Sequence, residues 1–341
     1  MNTASPGQAS GADQSPDQRL TWVDALKGAA ILFVVLGHGW RGLYERNLVP
    51  DALFEAVDQR IYIFHMPVFF AAAGFFLARQ VLGKPPADFV KGRLLRLIWP
   101  MVLWTYIFIG IKVLAGHRAN MPVTASDLLI SPFPGYLHLW FLWALFLHQM
   151  AVYGVLWLGQ VGRITWAVLV LLMLGALALS VFPVGGITPL ADWKVMYHAP
   201  FLILGMMLGR VLLGRDLPPY AGWVAALVFV GFVLPVPHLG LSGTTKVLYA
   251  MIPTTGFIVM LKTMSLGRLP GMRILTVLGG ASMAIYLAHT IFSATTREVL
   301  LALGVTSLPL HVLASVLAGV LGPYLFFLLA RRLKLSGFFG L

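Results

Sequence analysis

The sequence contains no cysteine among its 341 residues. Disulfides, thiolate metal ligands and thiol nucleophiles are therefore excluded. Charge is scarce as well. Only 11% of residues are charged, against roughly 25% in a soluble domain, and Asp and Glu together number 12. Carboxylates this few, most of them between apolar runs, do not supply the paired acids of a glycosidase inside a membrane. The G-x-S-x-G elbow, the P-loop and the H-E-x-x-H helix are also missing, which removes the common signatures of soluble hydrolases, nucleotide enzymes and zinc proteases.

What is abundant is apolar. Hydrophobic residues make up 59% of the chain, and the mean hydropathy is +0.86. One water-soluble core cannot bury so much apolar surface, so the excess faces lipid. A soluble enzyme, a disordered chain and a nucleic-acid-binding module are excluded together. The net charge of +12 does not argue for nucleic acid, because the 24 Lys and Arg are strung out singly between apolar runs. In a membrane protein such residues mark topology.

Residues 1–19 are small and polar and lack the apolar core of a signal peptide, which predicts a short disordered cytoplasmic tail. Ten apolar stretches follow, at about 22–41, 61–79, 94–115, 136–158, 164–182, 195–213, 220–236, 245–263, 274–294 and 309–330. Each is near the length that crosses a bilayer as a helix. The pattern predicts an all-α polytopic membrane protein of about ten helices over 20–335, with 336–341 as a short cytoplasmic tail. Arg79, Lys84, Lys91, Arg93 and Arg96 fall at the facing ends of the second and third stretches and in the connection that joins them, whereas the first connection is acid-rich, with Glu45, Asp51, Glu55 and Asp58. The bias of basic residues places both termini in the cytoplasm, and an even number of spans returns the chain to its starting side.

The first stretch carries polar groups where they are expensive. Asp24 and Lys27 are three apart and share a helix face. Lys27 and His38 are eleven apart, about 20° off the same face after three turns and roughly 16 Å apart along the axis. His65 enters the second stretch at the level of His38. His138, His198, His289 and His311 also lie near the ends of their stretches, His117 and His238 lie between stretches, and His148 is deeper. A lone interfacial histidine is more often a hydrogen-bonder than a catalyst, but two at one depth on successive helices favour chemistry. Arg93 and Arg96 stand at the cytoplasmic edge, where topology marking explains them as well as ligand binding does. Trp140 and Trp143 fit either an aromatic belt or a lined cavity, and Ser282, Tyr286 and His289 form one polar stripe. Such a lining suits transfer chemistry. It also suits a secondary transporter or exporter of a small polar solute, although no inverted repeat is visible.

Two motifs, D-x-x-K-G-x-A-x-x-x-V-V-x-G-H at 24–38 and FHMPVFF-x-x-x-GFFLA at 64–78, resemble those of the integral-membrane acyltransferase-3 family. Further likenesses follow in order: GRLLRLIWPMVLW at 92–104, HLWFLWALF at 138–146, FLILGMMLG at 201–209 and ASMAIYLAHTIF at 281–292. The resemblance covers roughly 20–335 and implies a ten-helix transmembrane acyltransferase domain. It implies acyl-CoA as co-substrate (acetyl-CoA foremost), no metal, and an acceptor hydroxyl on an extracytoplasmic glycan or glycolipid. Membrane lipid is then the surrounding partner, nucleic acid is not one, and the setting is the bacterial inner membrane. The family's first helix carries an Arg, ten residues, then a His. Here Lys27 stands at the Arg position and His38 at the His position, a form that resembles the fucose 4-O-acetylase-like branch. Arg93 and Arg96 match a pair of arginines at the start of the third helix. On this reading Asp24, Lys27, Arg93 and Arg96 hold the donor. His38 is the general base, with His65, Glu45 or Asp58 orienting it, and Tyr286 and Trp140 are expected as oxyanion donors. Glu45, Trp140, Tyr286 and His289 line the cavity.

Overall fold

A computed structural model describes residues 18–116, 132–181, 193–266 and 271–341. Within them every regular element is a helix. The predicted disordered tail, up to residue 17, lies outside the described residues, as do His117 and Arg118.

The first helix, α1 (Gln18–Tyr44), runs unbroken for 27 residues. Leu26, Ala30, Ile31, Val34 and Val35 are all fully buried, so it is sealed on nearly every side, as expected of a helix that is apolar all round. The chain turns into α2 (Asp51–Tyr62), breaks at Ile63 and Phe64, and continues through α3 (His65–Gly74) and α4 (Leu77–Gly83). Next come α5 (Pro86–Arg93) and α6 (Trp99–Ala115), joined by a π-helical turn at Leu94–Ile98. Pro100 accounts for that turn. It has no N–H to give the carbonyl of Arg96, so the helical ladder widens ahead of it. A 3-10 turn at Leu137–Leu139 leads into α7 (Trp140–Leu158). Then come α8 (Trp166–Val181), α9 (Trp193–Leu212), α10 (Pro219–Val233) and α11 (Gly243–Leu266). The chain finishes with α12 (Met272–Gly280), α13 (Ser282–Ala302), α14 (Leu308–Arg332) and the single turn α15 (Ser336–Phe339).

Among the described residues eight helical stretches are long and apolar enough to cross a bilayer; α12 and α13 add a ninth as a bent pair, and α8 is apolar but only 16 residues long. Each of the ten predicted stretches corresponds to one of these. The outward faces are those of a lipid-exposed protein: Trp223 and Leu227 on α10 are 77% and 75% exposed. The protein is an integral, multi-pass, all-α membrane protein.

The ninth stretch departs from the straight span predicted at 274–294. It bends by 84° at Ala281. Close packing before the bend explains where α12 sits. A Cβ on Gly279 would overlap the main chain of Asp24, and one on Gly28 would overlap the main chain of Leu275. Backbone therefore lies on backbone between α1 and α12, as small residues permit in membrane bundles. Beyond the bend, α13 packs on α14 and on the second half of α1, which carries His289 toward His38.

The packing also brings Lys262 to the starting end of α1. Trp22, near the start of α1, touches Phe75 at the end of α3 and lies 5.4 Å from the ammonium of Lys262. Lys262 donates to the carbonyls of Leu212 and Arg215 beyond α9. His38 is at the other end of α1. Residues 336–341, predicted as a short tail, fold back: Trp99 and Trp104 of α6 donate through their indole N–H groups to the carbonyls of Phe338 (2.7 Å) and Phe339 (3.0 Å).

Candidate active site

His38 lies about two turns beyond the middle of α1, among imidazoles from two other parts of the chain. Its ring centroid is 5.6 Å from that of His138, in the turn before α7, and 5.1 Å from that of His289 on α13. His138 and His289 are 5.0 Å apart, so the three rings form a closed triangle. His138 and His289 are buried, and each has an Nε2 with no hydrogen-bond partner. Buried polar atoms without partners are uncommon in folded proteins and concentrate where a protein does chemistry.

Aromatic groups frame this triangle. Tyr62, at the end of α2, lies 6.4 Å from His38 and 4.4 Å from His65, so it stands between the two histidines that the sequence puts at one depth. His65 is fully buried; its Nδ1–H donates to the carbonyl of Ile61 at 2.7 Å, and its Nε2 is bare. Arg41, one turn beyond His38, lies 3.4 Å over the ring of Tyr62 and holds Asp58 with two bonds of 2.6 and 2.9 Å. Both oxygens of Asp58 thus answer to Arg41, which leaves Asp58 poorly placed to orient His38. Glu45 is exposed beyond the end of α1, bordering a surface groove with Tyr44 and Asp51.

Of the two residues expected as oxyanion donors, Tyr286 lies against the rings of His138 and His289. Tyr286 spends its hydroxyl proton on the main-chain carbonyl of His138. Trp140 packs on His198 (5.1 Å) and Phe70 (6.3 Å), in a cluster that also includes His148 and joins the triangle through Phe141 and Tyr286. His148 donates from Nε2 to the carbonyl of Val195.

At the other end of α1, Lys27 and Asp24 form the ion pair that their spacing predicts, at 2.6 Å, with side chains 33% and 36% exposed. Arg93 donates to Gln80 and lies over the ring of Phe89. Arg96 is exposed on the π-helical turn. No group of His, Asp and Glu able to hold a metal occurs among the described residues.

Sequence reasoning singled out His38 and His289, but it did not bring His138, Tyr62 and Arg41 to their side. Depth was the available signal, since all three fall near the same end of their stretches as His38. Which helices are neighbours was not readable.

The family model described as "Acyltransferase domain" matches residues 20–328. The chain is 26% identical over 190 residues to the nodulation protein NolL of Mesorhizobium japonicum, a match covering 55% of this chain and 47% of that protein. It is 30% identical over 122 residues to the nodulation protein NolL of Sinorhizobium fredii, covering 36% of this chain and 32% of that protein. The matched stretches thus span half or less of those relatives. No solved structure matches the chain. The family match favours transfer chemistry over transport: the chain belongs to the acyltransferase-3 family, and its own helices build it into the membrane.

Proposed function

We propose that the protein is an O-acyltransferase of the bacterial inner membrane, with both termini cytoplasmic. It moves an acyl group, acetyl foremost, from cytoplasmic acyl-CoA to a hydroxyl of an extracytoplasmic carbohydrate or glycolipid. The observation that carries this reading is the layout of α1: a cation at one end and, at the other, an imidazole inside a cluster of buried rings.

A charged thioester crosses lipid poorly, and its acceptor lies on the far side. Lys27, Arg93 and Arg96 would hold the phosphates of the donor at the basic end, with Asp24 steadying Lys27. The flexible arm of the donor would run beside α1 over a length comparable to the roughly 16 Å between Lys27 and His38. His38 takes the proton of the acceptor hydroxyl as the oxygen attacks the thioester carbonyl. The C–S bond then breaks, and the leaving thiolate receives that proton. His65, behind Tyr62, and the lining residues Tyr286 and His289 would shield the ring of His38, which is half-buried.

The test is labelled acetyl-CoA supplied to membrane vesicles from cells expressing the protein. Wild-type vesicles transfer label to endogenous glycan or glycolipid, and His38→Ala vesicles with equal amounts of protein do not. Undiminished transfer by His38→Ala would reject His38 as the base.

A further inference from the structure

His289 has a fixed tautomer. Its Nδ1 lies 3.0 Å from the carbonyl oxygen of Ile285 and 2.8 Å from that of Tyr286. Carbonyl oxygens only accept, so the hydrogen sits on Nδ1 and the neutral ring keeps a lone pair on Nε2. That nitrogen is buried and has no partner. Three aromatic groups lie against the ring: His38, His138 and Tyr286. Tyr286 has already committed its hydroxyl to the carbonyl of His138, which leaves imidazole N–H groups as the donors at hand. His38 is a close one. The bond is not made in this structure, but two imidazoles sharing a hydrogen bond of about 2.9 Å between nitrogens have centroids near the 5.1 Å seen here, so a turn of the His38 ring makes it without moving either helix.

We propose that His289 is the positioning residue for His38: when the ring of His38 turns toward it, its Nε2 accepts a ring N–H of His38, fixes the tautomer of that ring, and leaves the opposite His38 nitrogen free to take the proton of the acceptor hydroxyl. This inference rests on His38 being the base. His289 occupies the place that a carboxylate holds behind the histidine of a serine hydrolase, but with an uncharged acceptor whose own proton is pinned by main-chain carbonyls. During the reaction that proton stays on Nδ1. The hydroxyl proton moves to His38, the new C–O bond forms, the C–S bond breaks, and the proton leaves on the thiol.

The test compares His289→Ala, His289→Gln, His138→Ala and His38→Ala in vesicles, with kcat and KM measured for acetyl-CoA and unfolding followed on purified protein. His289→Ala should lower kcat about 100-fold with KM changed less than about twofold, the pattern of a group acting through the base. His289→Gln supplies an amide oxygen that can accept the same N–H and should recover kcat to within about tenfold of wild type. His138→Ala should cost less than His289→Ala. Equal losses for Ala and Gln accompanied by a lower unfolding midpoint would assign His289 a structural role and overturn the proposal. So would an unchanged kcat for His289→Ala while His38→Ala is inactive. Full activity of His38→Ala would remove the base reading itself.

Discussion

The hydroxyl of Tyr286 donates to the main-chain carbonyl of His138. This bond ties α13, the far arm of the bent pair, to the turn that begins α7, and it sets two corners of the imidazole triangle against each other. Tyr286→Phe removes the bond and little volume. A neutral buried bond of this kind contributes about 1 kcal/mol. The expected result is a small fall in the unfolding midpoint of the purified protein and a several-fold fall in the rate of acetyl transfer, with KM for acetyl-CoA unchanged.

The contact between α1 and α12 sets the height at which the bend occurs. Gly28 and Gly279 have no room for a Cβ, because the main chains of Leu275 and Asp24 stand where it would go. Gly28→Val should force the helices apart and cost about 3 kcal/mol or more by overpacking. Size-exclusion chromatography should show loss of the monodisperse protein peak. Gly110 on α6 has open space at its Cβ position, so Gly110→Ala should leave that peak unchanged.

The elements were legible in the sequence because the hydrophobic period and length of a membrane helix leave few alternatives. Lys27 and Asp24 were legible as a pair, and Lys27 with His38 as one stripe, because both relationships lie within a single helix. The triangle was not. His38, His138 and His289 belong to different helices, and their meeting depends on α1 packing against α13 and on the bend at Ala281. The bend is hard to read from sequence, since Gly279 and Gly280 equally fit a continuous membrane helix that packs closely on a neighbour. The partner of Asp58 was hidden for the same reason: its bonds go to Arg41, a residue of another helix.

Asp58→Asn tests that division of labour. The Arg41–Asp58 pair is partly exposed, with the Arg41 side chain 42% exposed, so solvent screening holds its worth to no more than about 1 kcal/mol. Arg41 would keep its place over Tyr62. Acetyl transfer should fall by no more than about threefold, far less than for a residue acting directly on the base. A loss as deep as that of His38→Ala would make Asp58 part of the catalytic machinery.

Lys27 carries the last prediction, because it departs from the Arg of the family pattern that the chain resembles. An ammonium offers a point charge where a guanidinium offers a planar fork, and here that charge is already engaged by Asp24 at 2.6 Å. If Lys27 meets the donor phosphates through charge, Lys27→Arg should transfer acetyl at a rate within a few-fold of wild type. Lys27→Ala should raise KM for acetyl-CoA about tenfold while changing kcat little, since the lost interaction is made equally in the bound and transition states. The measurement is initial rate against acetyl-CoA concentration in vesicles of wild type and both variants. The direction of the change separates two roles: a higher KM marks donor binding, whereas a lower kcat at unchanged KM would place Lys27 with the machinery around His38, at the far end of the same helix.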